Sequence, residues 1–88
     1  SKKVKENLKL TIILDSDSAL AKDICENFPG VQQLTATANE LHFLFTGLRN
    51  NIPDLLNSLV HNGVRVMEMR EEHADLEQVF LSVTHQNS

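Results

Sequence analysis

The residues best suited to acid–base or metal chemistry are scattered along this chain of 88 residues. Its histidines are His42, His61, His73 and His85, and no H-x-x-x-H or C-x-x-C spacing occurs. Metal sites in proteins usually show such spacings in the sequence, because several ligands must converge on one ion. The sequence therefore predicts no metal site, and it lacks the motif of the metal-carrying chaperones.

The candidates for nucleophilic or phosphate chemistry are equally isolated. Cys25 falls on the apolar side of a predicted helix, which favours packing over reactivity, and a single cysteine fits a reducing compartment. The glycines at positions 30, 47 and 63 suit turns and caps, and none belongs to a glycine-rich phosphate loop. An acylphosphatase-like enzyme would have only Arg49 and Asn50 as its loop. We predict no catalytic residue and no cofactor in this chain.

Charge and composition exclude other classes of partner. The net charge of −4 argues against nucleic acid and anionic lipid, which bind clustered Lys and Arg. Phe43 and Phe45 alternate as in RNA-recognition modules, but they share a phase with Leu41 and so predict a core. No apolar run reaches the roughly 20 residues of a spanning helix, and no signal peptide is evident. We expect a soluble, cytoplasmic chain without direct membrane insertion.

The first half of the chain reads as strand, helix and hairpin. Alternation from Leu8 to Asp15 predicts a half-buried strand. Ser16 is the expected cap of a helix that ends at Pro29-Gly30, and strands over 31–38 and 40–46 follow, with Asn39 in a left-handed turn between them. The apolar positions of the helix are Leu20, Ala21, Ile24, Cys25 and Phe28.

The second half adds a helix, a strand and a short terminal helix. Asn51 is the expected cap of a helix that ends before Gly63, and 64–70 reads as a strand. Glu71, Glu72 and Asp75 read as an acidic loop, after which Asp75 and Gln78 form a capping box. The stripe of the longer helix is Ile52, Leu55, Leu56, Leu59 and Val60.

This order of elements predicts an α+β fold of the ferredoxin-like type, β-α-β-β-α-β, with a short C-terminal helix. Both helices cover one face of a four-stranded antiparallel sheet of order 4-1-3-2, because that arrangement buries both helical stripes. We expect a single domain over residues 8–84, with tails at 1–7 and 85–88. The N-terminal tail is either disordered or left over from expression, since Ser1 in place of Met suggests a piece of a longer protein.

The sheet face away from the helices is expected to be polar apart from an apolar strip formed by Ile13, Leu44, Met67 and Met69. Such a patch usually marks a contact surface. Either the terminal helix covers the strip, or another domain or a second copy binds it, or both. The apolar residues of that helix, which complete the candidate interface, are Leu76, Val79, Phe80 and Val83.

From Gly63 onward the sequence resembles the C-terminal end of bacterial and archaeal ABC transporter ATPases of the export type. The resemblance rests on the strand that begins Gly63-Val64, the acidic linker, and the segment Ala74-Asp75-Leu76-Glu77-Gln78-Val79-Phe80-Leu81. Gln78 replaces a usual acidic residue, and Asp75 stands where Ser is common. The upstream pattern fits from Leu8 onward at a coarser level.

The resemblance implies a non-catalytic accessory or regulatory domain of a transporter ATP-binding subunit, peripheral to the membrane. ATP and Mg²⁺ would then belong to a preceding ATPase domain. The implied partners are that domain, a second copy of the subunit and, indirectly, the membrane permease. The alternative is a stand-alone ferredoxin-like sensor of small molecules.

Overall fold

The computed structural model of the protein describes residues 7–73. Within them the elements are β1 (Leu8–Leu14), α1 (Ala19–Glu26), β2 (Val31–Ala36), β3 (Glu40–Phe45), a 3₁₀ turn (Arg49–Asn51), α2 (Ile52–His61) and β4 (Val66–His73). The sheet has the order β2-β3-β1-β4 and is antiparallel throughout. This is the predicted order read from the opposite edge, and it confirms the ferredoxin-like α+β fold. The predicted terminal helix lies outside the described residues.

One face of the sheet and the two helices enclose a single core. On β1 the buried residues alternate with partly or fully exposed ones, as a strand covered on one side requires. The helices contribute their own buried stripes to the same cluster. Its fully buried larger side chains are Leu8, Leu10, Ile12, Leu14, Cys25, Leu41, Phe45, Leu55 and Leu59.

α1 begins later than the sequence predicts, so Ser16 is the wrong cap. The N-cap is Ser18, whose hydroxyl makes no capping bond and instead donates to the carbonyl of Thr37 at 2.5 Å. This bond ties the start of α1 to the β2–β3 hairpin. Ala21 and Cys25 are buried as predicted, but Leu20 is 50% exposed, so the predicted apolar side of this helix is also too wide.

α2 ends in the glycine cap that the sequence predicts. Gly63 has a positive φ of 87°, and its N–H donates to the carbonyl of Val60 at 3.0 Å. The next N–H, of Val64, donates to the carbonyl of Leu59 at 2.9 Å, which completes a Schellman motif. Val60 itself is 60% exposed, so the predicted stripe is one residue too wide. Asn51 is the N-cap, but its side chain makes no capping bond.

The only left-handed non-glycine residue among those described is Gln33, with φ 55°, and not Asn39 as predicted. Gln33 lies in a bulge, because the β2–β3 register shifts between Gln32 and Thr35. The extra residue lets both Val31 and Ala36 pair with buried residues of β3. The hairpin is closed by the N–H of Thr37 donating to the carbonyl of Glu40 at 2.9 Å.

β4 also contains a bulge, and it changes which side chains face the core. Leu14 pairs with Val66 and Ile13 with Glu68, so Met67 is the extra residue. From that point Met69 pairs with buried Ile12 and packs against the core. The prediction of Met69 on the outer face is therefore wrong. The strand starts after Val64 and runs to His73, so Glu71 and Glu72 belong to it and not to a loop.

Phe45 is clasped by two glycines where β2 and β3 come together. A Cβ at Gly47 would lie 2.9 Å from the ring's Cζ, and a Cβ at Gly30 would lie 3.0 Å from its Cε1. Gly30 also needs its positive φ of 95°. On its other side the ring packs against Phe28, with centroids 6.5 Å apart. This aromatic pair and the glycine clasp fix the end of β3 against the connection between α1 and β2.

Candidate functional site

The sheet face opposite the helices is the candidate site, and we call it the open face. No described helix or loop packs over it. The strand registers place alternate residues of each strand there, and the bulges at Gln33 and Met67 keep the four strands in phase. Its residues are Lys9, Thr11 and Ile13 of β1, Gln32 and Thr35 of β2, Glu40, His42 and Leu44 of β3, and Glu68, Arg70 and Glu72 of β4.

A polar row crosses the middle of the open face from edge to edge. Thr35 pairs with His42, His42 with Thr11, and Thr11 with Arg70. Thr11 Oγ1 lies 3.1 Å from His42 Nδ1, and His42 Nε2 lies 3.1 Å from Glu40 Oε1. In the neutral ring Nε2 donates to the carboxylate, and Nδ1 then accepts from the threonine hydroxyl. Hydroxyl, imidazole and carboxylate are thus connected in series.

This series has the order of groups found in nucleophilic triads, yet its surroundings do not support acyl transfer. A triad needs N–H donors aimed at the oxyanion that forms next to the nucleophile. Thr11 is in the middle of β1, where the backbone pairs with β3 on one side and β4 on the other. Its neighbouring N–H groups are therefore committed to the sheet. The imidazole of His42 instead links Thr11 and Glu40 through hydrogen bonds on the surface of the sheet.

Charged residues surround this polar row on β1, β3 and β4. Arg70 Nε donates to Glu68 Oε2 at 2.8 Å, and this hydrogen bond lowers the pKa of the Glu68 carboxyl. Glu68 in turn raises the pKa of Arg70, with a weaker contribution from Glu40 across the sheet. Lys9 pairs with Glu72 at the other end of β4. The open face thus carries positive and negative charges side by side, whereas a surface that binds a polyanion is predominantly positive.

The predicted apolar strip is not continuous in the structure. Ile13 and Leu44 are on the open face and half-buried, but the Thr11–His42 pair lies between them. Met67 is 66% exposed at the bulge, and Met69 is on the core side. Sequence reasoning missed this because a bulge has no compositional signal. Leu76, Val79, Phe80 and Val83, together with the cap residues Asp75 and Gln78, lie outside the described residues.

A shallow depression of about 350 Å³ lies on the open face, and part of the polar row lines it. Its lining includes the ammonium-bearing Lys9, the hydroxyls of Thr11 and Thr35, and His42. The depression has no signature in the sequence, because its lining comes from all four strands and depends on the register at both bulges.

The remaining chemistry-bearing residues stay apart. Cys25 is fully buried, and burial raises the pKa of its thiol from 9.0 to about 11, which makes it a poor nucleophile. His61 lies at the end of α2, away from the open face. Over residues 7–73 no three His, Cys, Asp or Glu side chains are grouped so that they could hold a metal ion. No helix in that range has the length and hydropathy to cross a bilayer.

Comparisons of this chain with protein-family models, with curated proteins and with solved structures gave no match.

Proposed function

We propose that this chain is a non-catalytic accessory domain of an ABC transporter ATP-binding subunit and acts in the cytoplasm as a protein-interaction module. The observation that carries the proposal is the open face. A two-layer fold leaves one face of its sheet without a described covering element, and here that face carries charges of both signs around half-buried Ile13 and Leu44. Mixed charges around apolar residues are typical of surfaces that recognise other proteins.

ATP and Mg²⁺ belong, on this proposal, to an ATPase domain that precedes the chain in the full subunit. That domain is the first partner of the open face, a second subunit copy is another, and the membrane permease is reached indirectly. The assignment of nucleotide to a different domain is supported by the titratable groups of the described residues, which are dispersed or paired with each other. Glu68, for example, is paired with Arg70.

The first test is calorimetric titration of the chain with Mg·ATP, for which we expect no binding heat. The second is titration with the ATPase domain encoded upstream, followed by amide NMR. We expect shifts at Thr11, His42 and Leu44 and none along α2. Saturable nucleotide binding by the chain alone would overturn the proposal, as would an upstream segment without nucleotide-binding motifs.

A matched pair of charge insertions locates the contact. Leu44→Glu places a carboxylate on the open face opposite Lys9 and should weaken binding of the ATPase domain at least about tenfold, since both charges must lose their water when the interface forms. Val60→Glu inserts the same charge at an exposed position of α2 on the other side of the molecule, and it should leave binding unchanged. Equal effects of the two variants would exclude the open face as the contact.

The small-molecule sensor is the competing function, and the depression beside Lys9 and His42 is the observation that favours it. A thermal-shift screen of free amino acids and small organic acids separates the two. The accessory-domain proposal expects no metabolite to raise the melting temperature. A saturable rise that Lys9→Ala abolishes would favour the sensor.

A further inference from the structure

The edges of the sheet differ in how well they can accept another strand. β2 is interrupted near its middle by the left-handed Gln33, and such a bulge disrupts the hydrogen-bond ladder. β4 is 8 residues long, its bulge at Met67 is near its start, and Glu68 to His73 follow in unbroken register with β1. Among the described strands only β1 pairs with β4. Its outer edge is therefore the better template for a strand.

The side chains on this edge leave apolar surface exposed that a second strand could cover. Met67 is 66% exposed, and Met69 beside it is only partly buried by the core. Charged side chains, lysine above all, usually protect an edge strand from pairing, so the charges of β4 must be compensated by those of a partner. Here Glu68 and Arg70 have opposite signs and flank a methionine, which is a pattern that can complement itself.

The possible partner registers can be ranked by charge. In an antiparallel pair of identical strands, opposed residues share a face, so the two-fold axis must pass at a residue. An axis at Glu68 opposes two glutamates, and an axis at Arg70 opposes two arginines. An axis at Glu71 opposes each Arg70 to a Glu72, but it also opposes two glutamates on the helix side. Only an axis at Met69 opposes each Glu68 to an Arg70 and brings the two methionines together.

Two further contacts fit this register. Arg70 already donates to Glu68 of its own strand from Nε, and its other guanidinium N–H groups are suited to a second carboxylate. The Glu71 carboxylate, on the helix side, is paired with Arg49 Nη2 at 2.6 Å. Its charge is therefore compensated when it faces the exposed Met67 of the other copy.

We infer that β4 is a self-association edge, at which a second copy of this chain adds its own β4 antiparallel with Met69 on the two-fold axis. Backbone hydrogen bonds and methionine contacts supply the attraction, and the Glu68–Arg70 pairs select the register. The pairing joins both sheets into one and places both open faces on the same side of it. This inference depends on β4 alone and holds whether or not the chain serves a transporter.

Sedimentation equilibrium on the whole chain at low salt tests the inference. We expect a reversible dimer of the 9.9 kDa chain. Glu68→Arg should weaken the dimer at least about tenfold, because an arginine at position 68 of each copy then faces Arg70 of the other copy. Arg70→Glu should do the same, and the double variant Glu68→Arg/Arg70→Glu should restore the wild-type constant within about threefold. Glu26→Arg, on exposed α1, makes the same charge change as a control, and circular dichroism checks the fold of each variant.

Each result decides the inference. A chain that stays monomeric at millimolar concentration overturns it, and protection of the β4 amides that point away from β1 would then show that another part of the same chain covers the edge. A dimer that ignores all the charge swaps is held by another surface. A dimer weakened by Arg70→Glu but not by Glu68→Arg, and not restored by the double variant, has its axis at Glu71. None of these measurements involves nucleotide, so their outcome is separate from that of the proposed function.

Discussion

The two faces of the sheet alternate residue by residue along the same strands, yet they make different contributions to the molecule. On β3, Leu41, Phe43 and Phe45 are buried under the helices, whereas Glu40, His42 and Leu44 between them stay accessible. The covered face removes apolar surface from water and provides most of the stability. The open face pairs hydroxyl, imidazole and charge in contact with solvent. A change on one face should therefore leave the property of the other intact.

The largest effect should come from Phe45→Ala. The ring is fully buried between Phe28 and the glycine clasp, so its loss leaves a cavity and should lower the free energy of unfolding by about 3–5 kcal/mol. His42→Ala, on the same strand but on the open face, should cost about 1 kcal/mol or less. Urea unfolding followed by circular dichroism measures both values. Similar losses for the two variants would mean that the open face contributes as much to stability as the covered face.

An intermediate effect should appear at high pH through Cys25. Because burial raises the pKa of this thiol to about 11, the folded state favours the neutral form. Its contribution is fully present below the unfolded pKa of 9.0 and is lost as pH rises towards 11. The loss is on the order of 2–3 kcal/mol by pH 11.

Cys25→Ala is the control for that effect. Wild type and variant should be compared by urea unfolding at several pH values between 8 and 11, since other groups titrate equally in both. The stability of the wild type should fall more steeply than that of the variant above pH 9. Parallel curves would mean that water reaches the thiol and that the covered face is less closed than the structure shows.

The smallest effect is expected within the open face. Thr11→Val keeps the β-branched shape but removes the hydroxyl that bonds to His42, and it should change the free energy of unfolding by about 0.5–1 kcal/mol. In a double-mutant cycle with His42→Ala, the coupling should stay below about 1 kcal/mol. A coupling above about 2 kcal/mol in dilute monomer would contradict an open face, because it would mean that this pair is shielded from water.

The fold could be predicted from the sequence where one periodicity ran unbroken. β1 and β3 alternate without interruption, and Ile52, Leu55 and Leu59 follow a helical spacing, so their buried sides were predicted correctly. Gly63 revealed the end of α2 because its position requires a positive φ. These residues respond to local rules, and the ferredoxin-like order followed from them.

The predictions were wrong where pairing with another strand overrides the local preference of a residue. Gln33 adopts a left-handed conformation that usually signals Gly or Asn, so nothing in its type revealed the bulge. Glu71 and Glu72 suggested a solvated loop, but β1 extends to Leu8 and holds them in the ladder. The same cause misplaced Met69 and divided the predicted apolar strip. The open face depends on both bulges, and its lining could therefore be named only with the structure.

The glycine clasp around Phe45 has a consequence for how this sequence can diverge. With a Cβ at Gly47 only 2.9 Å from the ring and one at Gly30 only 3.0 Å from it, the three positions form one steric unit. An alanine at position 47 becomes acceptable once a smaller aliphatic residue replaces the phenylalanine. Position 30 has the further demand of its backbone conformation. Homologues should accordingly show correlated exchange between positions 45 and 47, while position 30 stays glycine in every lineage that retains this turn.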